Sequence, residues 1–94
     1  MKKIFKYPFV VDDVVELKMP KGAQLLSIQF QDEQLCAWAL VDPDENLETR
    51  KLRIIGTGHP VFDDDLEDTE FFTTVQVVFQ EQNLVWHIFI YKEN

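Results

Sequence analysis

What this chain has little of narrows it first. There is one cysteine, Cys36, in 94 residues. It cannot close a disulfide within the chain, and such sparing use of cysteine fits a reducing compartment. No apolar run approaches the ~18 residues that cross a membrane as a helix. The start, Met1-Lys2-Lys3-Ile4-Phe5-Lys6, is positively charged, but Lys6, Pro8 and Asp12-Asp13 interrupt any apolar leader region. It therefore reads as mature protein. Cations are few: 9 Lys and Arg against 17 Asp and Glu give a net charge of −8 and a pI of about 4.5. A non-specific DNA-binder needs a basic surface, so direct DNA binding is not expected of the whole protein. The 2 histidines, His59 and His87, have no paired spacing with each other or with Cys36, and no metal site is expected. The acidic run Asp63-Asp64-Asp65-Leu66-Glu67-Asp68 lacks the glycine and ordered spacing of a calcium loop and reads as a solvated loop. Neither a repeat nor a linker divides the chain, so residues 1–94 form a single domain.

What the chain does have is apolar and aromatic content arranged in strand patterns. Hydrophobic residues make up 46% and aromatics 13%, enough for one compact core. Lys2 to Tyr7 alternates weakly, with Pro8 ending it or marking an edge. Val14 to Lys18 is a short β-branched run, followed by a turn at Pro20-Lys21-Gly22-Ala23. Gln24 to Phe30 alternates, with Leu26, Ile28 and Phe30 on one face. Leu35 to Val41 is apolar on both faces, as a central strand would be. Within it Cys36 reads as a buried, inert thiol. Asp42 to Asn46 is a loop, and Leu52 to Ile55 a strand. Phe71 to Gln80 places Phe71, Thr73, Val75, Val77 and Phe79 on one side. Glu81-Gln82-Asn83 is a turn into the last strand, Leu84 to Tyr91. There, His87 is expected to be a hydrogen-bonded structural histidine. Asp63 to Glu70 is the one helical candidate and supports at most a turn. The expected fold is mainly β: a small antiparallel sandwich or partly open barrel of about seven short strands. The last hairpin is apolar on both faces, which predicts either a sandwiched strand or an oligomer interface.

One stretch departs from plain β-sheet: Gly56-Thr57-Gly58-His59-Pro60, at the end of an apolar strand. Glycines at 56 and 58 permit positive φ or close backbone approach. Thr57 and His59 offer side-chain donors, and consecutive turn amides can form an anion-binding nest. Arg50, Lys51 and Arg53 precede it on an otherwise acidic chain, so phosphate or carboxylate is the chemistry the stretch suggests. A β-bulge and turn stiffened by Pro60 is the plainer reading. The stretch has neither the Lys and following helix of a P-loop nor the spacing of a dinucleotide fingerprint. A Cys36–His59 nucleophilic pair lacks the helix N-terminus or nucleophile elbow that would activate it. No catalytic residue is assigned, and the protein is not expected to be an enzyme.

The segments Lys3-Ile4-Phe5-Lys6-Tyr7-Pro8, Met19-Pro20-Lys21-Gly22-Ala23, Trp38-Ala39-Leu40-Val41-Asp42 and Gly56-Thr57-Gly58-His59-Pro60 resemble, in order and spacing, a family of small uncharacterised phage and prophage proteins. The resemblance runs over nearly the whole chain. It implies a small β-rich protein without a known catalytic activity, acting in the cytoplasm of an infected host. By analogy with small phage accessory proteins, it implies a counter-defence factor: a homo-oligomer that binds and sequesters a small anionic ligand such as a cyclic nucleotide second messenger. On that reading, the loop amides and Thr57 hold phosphate, and Arg50, Lys51 or Arg53 neutralises it. An aromatic such as Tyr7, Trp38 or Trp86 stacks on a base. The rival readings are an acidic protein-binding inhibitor or nucleic-acid mimic acting on a host protein, and a virion structural or assembly protein.

Overall fold

Alternation at period two is the rule that builds this molecule. Along Val14–Pro20 the side chains run exposed, buried, exposed, buried, as a strand with one wet face must. The computed structural model describes residues 1–93. It has seven strands: β1 Lys3–Phe9, β2 Val14–Pro20, β3 Gln24–Gln31, β4 Gln34–Val41, β5 Leu47–Gly56, β6 Thr69–Phe79 and β7 Gln82–Tyr91. They form two antiparallel sheets, ordered β1-β4-β3 and β2-β5-β7-β6, packed face to face as an open sandwich. No helix occurs among the described residues.

β4 is the central strand of the smaller sheet. Leu35, Ala37, Ala39 and Val41 line the core, while Cys36, Trp38 and Leu40 point outward, and Cys36 is buried nonetheless. From the larger sheet, Leu17, Met19, Leu52, Ile54, Val75 and Ile88 meet them. No polar or charged residue is buried in the core among the described residues.

Two bulges correct the expected faces. Between Leu25 and Ser27 the register of β3 on β4 shifts by one residue. Leu25 therefore packs on the core, and Leu26, expected inside, is 43% exposed. Between Phe71 and Thr73 the register of β6 on β7 shifts in the same way. Phe72 turns to the core, while Phe71 stays outside, edge-on to Phe89 at 5.5 Å. An extra residue in one strand reverses which side chains face in. Both bulges lie on edge strands, where they disrupt the ladder a neighbouring chain would otherwise extend.

Two boundaries also differ from the expectation. β5 starts at Leu47 because its pairing with β2 runs out to Pro20, so the strand is ten residues long. The last hairpin turns at Gln80-Glu81, since Phe79 already pairs with Gln82. The Asp63–Glu70 segment, expected to support at most a turn, is a chain of separate turns without a helix. Its amides reach back three residues, from Asp65 to Phe62, Glu67 to Asp64 and Thr69 to Leu66. Within the last hairpin, Leu84, Trp86 and Ile90 pack against the core beside buried Ile88, and Val85, Phe89 and Tyr91 form the partly exposed outer face.

Candidate functional site

The sandwich has two unlike ends. At one end lie the β3–β4 turn, the β1–β2 crossover, the end of β5 and the β6–β7 turn. This end holds the Gly56–Pro60 stretch and a large cavity of about 470 Å³. The cavity opens between the sheets. Its walls come from the end of β1 (Phe9) and the crossover after it (Val10, Val11), the first hairpin (Phe30, Leu35) and the last hairpin (Phe79, Leu84, Trp86). Asp32 and Glu33 stand on its rim, and no Lys or Arg lines it.

Gly56 ends β5 opposite Trp86. A methyl group on Gly56 would sit 3.0 Å from Trp86 Cζ3, so the missing side chain is what lets the indole lie across the strand. Gly58 has φ of +90°, a conformation glycine adopts without strain. The two glycines thus serve the two different purposes open to them: close approach at 56 and positive φ at 58. Trp86 and Leu84 are shared between the large cavity and a second one of about 310 Å³ under Gly56, Thr57 and His59.

The loop is tied inward. Thr57 N–H donates to Val85 O at 3.2 Å and His59 N–H to Gly56 O at 3.1 Å, so these two amides do not face a ligand. The Thr57 hydroxyl lies 2.8 Å from His87 Nε2, and His87 Nδ1 lies 2.9 Å from the Thr74 hydroxyl. In its neutral form, the ring donates to one hydroxyl and accepts from the other. His87 is the hydrogen-bonded structural histidine its mid-strand position suggests, fastening the loop to β6.

The cations separate according to strand parity. Arg50 pairs with inward-facing Leu17 and so faces in; Arg53 and Lys51 face out. Arg53 alone lies beside the loop, sharing a cavity of about 290 Å³ with His59, Phe62 and Ile55. Its guanidinium donates to Asp13 O at 3.0 Å and lies 3.6 Å and 3.9 Å from the carboxylates of Asp13 and Asp65. Asp65 also accepts from Phe62 N–H at 2.8 Å. An anion entering this cavity meets two carboxylates as well as one guanidinium. Arg50 is at the far end of the sandwich, donating to Ala23 O at 2.6 Å, with Nε 3.1 Å from Glu93 but out of line for a hydrogen bond. Lys51 sits 5.4 Å from the centre of the Tyr91 ring.

Tyr7 and Trp38 belong to the other sheet. Tyr7 packs against the core from β1, and burial pushes its phenol pKa up. Trp38 lies on the outer face of β4, between Lys6 and Ser27. Within one chain, neither joins Arg53 and His59 in a single pocket. Cys36 is on β4 of the smaller sheet and His59 in the loop after β5; the thiol contacts Gln34 O rather than the imidazole, so they do not form a pair.

The large cavity was not visible from spacing, since its walls come from distant segments. One local signal points to its rim. Asp32 (φ 52°) and Glu33 (φ 64°) occupy the left-handed region, as do Gln80 (φ 51°) and Glu81 (φ 65°). Two-residue hairpin turns of this kind normally carry Asn-Gly or Asp-Gly. Both turns at this end carry side chains where glycine would be less strained.

Compared with known protein families, residues 1–94 match a domain of unknown function, DUF7352. The chain belongs to this family. No curated protein and no solved structure matches this DUF7352 domain.

Proposed function

We propose that this DUF7352 protein is a non-enzymatic binding module that engages a basic protein partner through its acidic surface. On the resemblance to small phage proteins, it is an accessory inhibitor of a host protein. One observation carries the reading: the negative charge is unspent. Of the 17 carboxylates, only those of Asp13, Asp65 and Glu93 form an ion pair among the described residues. Both arginines that form these pairs also donate to backbone carbonyls. Apart from half-buried Asp42 and Glu48, which accept backbone N–H groups, the remaining acids, including Asp63, Asp64 and Glu67, are exposed to solvent. Such a surface speeds encounter with a cationic partner and repels nucleic acid.

The test is to capture a partner from host extract, identify it, and measure the purified pair by calorimetry across salt concentrations. A basic partner is expected. Its affinity should fall with salt, and fall again on Asp63→Asn, Asp64→Asn and Glu67→Gln together. These three are exposed and make no ion pair, so folding should be unchanged. Affinity indifferent to salt and to the triple variant overturns the reading.

A second reading keeps the small anionic ligand. It is favoured by a single fact, that Arg53 and His59 share one cavity. It needs a second copy of the chain to bring in an aromatic such as Tyr7 or Trp38. Thermal shift against cyclic di- and trinucleotides tests it. A rise in Tm lost in His59→Ala supports it, and no shift with any of them ends it.

A further inference from the structure

The open end of the sandwich combines features that select one kind of occupant. The cavity of about 470 Å³ is within the range of sites that enclose a small ligand or a few side chains. Its walls are apolar: Phe9, Phe30, Leu35, Leu84 and Trp86, with Phe79 40% exposed at the mouth. Its rim is anionic. Asp32 and Glu33 line it directly, and Glu81 stands in the turn that follows Phe79. None of these three carboxylates makes an ion pair or a side-chain hydrogen bond among the described residues. All three are in the left-handed region.

We propose that this cavity binds a peptide segment of the partner protein in which one or two large apolar side chains are flanked by Lys or Arg. The apolar anchors enter between the sheets, and the flanking cations pair with Asp32, Glu33 and Glu81. Charge complementarity decides the sign of the occupant: a phosphate or carboxylate ligand would face the rim without a counter-charge. Gly56 supports the site from behind, because only a bare strand lets Trp86 lie where it forms the cavity wall. The inference deepens the reading of the protein as a module for basic partners and rests on it; it adds where the partner is gripped and by what chemistry.

The experiment is a titration of the full chain, followed by amide NMR, with a blocked hexapeptide carrying Leu and Trp between two pairs of Lys and Arg. Shifts are expected at Phe30–Leu35 and Val77–Trp86. Replacing Leu and Trp with Ser should weaken binding roughly thirtyfold, the loss of about one buried large side chain. Asp32→Asn with Glu33→Gly makes the turn the sequence type that hairpins favour, so this variant folds. It should bind about fivefold or more weakly. Shifts confined to residues 62–70 would overturn the open-end site while leaving the acidic-surface reading standing. No shift, or equal affinity for the Ser peptide, would also overturn it, and the salt dependence with the full-length partner would then judge the broader reading alone. Equal binding of a peptide with Glu in place of Lys and Arg would sink both.

Discussion

The two ends of this sandwich are built from the same kinds of segment and finished in opposite ways. At the end that carries Arg50, polar groups tie the loops and strand ends together, although Arg50 Nε has no hydrogen-bond partner among the described residues and a cavity of about 220 Å³ lies beside it. Arg50 donates to Ala23 O, Lys21 N–H to Asn46 O at 2.7 Å, Gly22 N–H to Glu48 Oε1 at 3.2 Å and Lys92 N–H to Asp68 O at 2.7 Å. Its turn at Pro20–Ala23 places a glycine at the positive φ, Gly22 at +81°. At the other end no guanidinium fills the gap, the walls are aromatic, and four non-glycine residues occupy positive φ, against one, Asp68 at 60°, at the Arg50 end. One end is closed for stability. The other keeps carboxylates and an open apolar mouth at some cost in strain, a pattern associated with binding sites.

That contrast can be broken most forcefully at Arg50. Arg50→Ala removes the plug and orphans Ala23 O. It should lower the unfolding free energy by about 2–3 kcal/mol in urea denaturation. At the open end, Val10→Ser, at a residue 79% exposed on the cavity's edge, should change it by less than about 0.5 kcal/mol. Equal losses would mean that both ends are structural.

Gly56→Ala tests whether the open end depends on a bare strand. The new methyl must push Trp86 aside, at a loss of about 2 kcal/mol. Trp86 fluorescence should shift, and the cavity should lose peptide binding with it. A smaller pair of effects of opposite sign sharpens the comparison. Gly22→Ala should destabilise the closed end by about 1 kcal/mol or more, and Glu33→Gly should stabilise the open end by about 1 kcal/mol, both read as Tm. If Glu33→Gly destabilises instead, its side chain has a folding role and the functional explanation of the strained turn fails.

The smallest effect is at Tyr7. Burial raises its folded-state pKa above the unfolded value of about 10. The folded state therefore favours the neutral phenol. That contribution is fully present below pH ~10 and is lost as pH rises through the folded value. Tyr7→Phe should flatten the fall in stability above pH ~10, seen in denaturation midpoints measured at successive alkaline pH values.

Much of the fold is legible along the chain. The two-sided apolar run Leu35–Val41 marks the central strand of its sheet. Cys36 within that run is buried, and His87 in mid-strand is hydrogen-bonded at both nitrogens. Less of the site is legible. The Gly56–Pro60 stretch could be picked out, but the Thr57 and His59 amides and the Thr57 hydroxyl turn out to be engaged within the protein. Arg50, three residues before Arg53, lies on the other face of the strand because three is an odd number in a period of two. Leu26 and Phe71 were misplaced for the same underlying reason, since one inserted residue reverses every assignment beyond it.

The sequence by itself determined the strands, their hairpins, the acidic balance and the glycine stretch, because alternation, turn chemistry and charge are local properties. Only the tertiary structure decided which strands share a sheet, and so that Tyr7 and Trp38 lie away from His59. It alone made Trp86 the aromatic at the loop. It also brought the Asp32-Glu33 and Gln80-Glu81 turns, nearly fifty residues apart, to the mouth of one cavity. The reason is physical: pairing between distant strands is set by the packing of both sheets on one core, and no short window of sequence contains both partners.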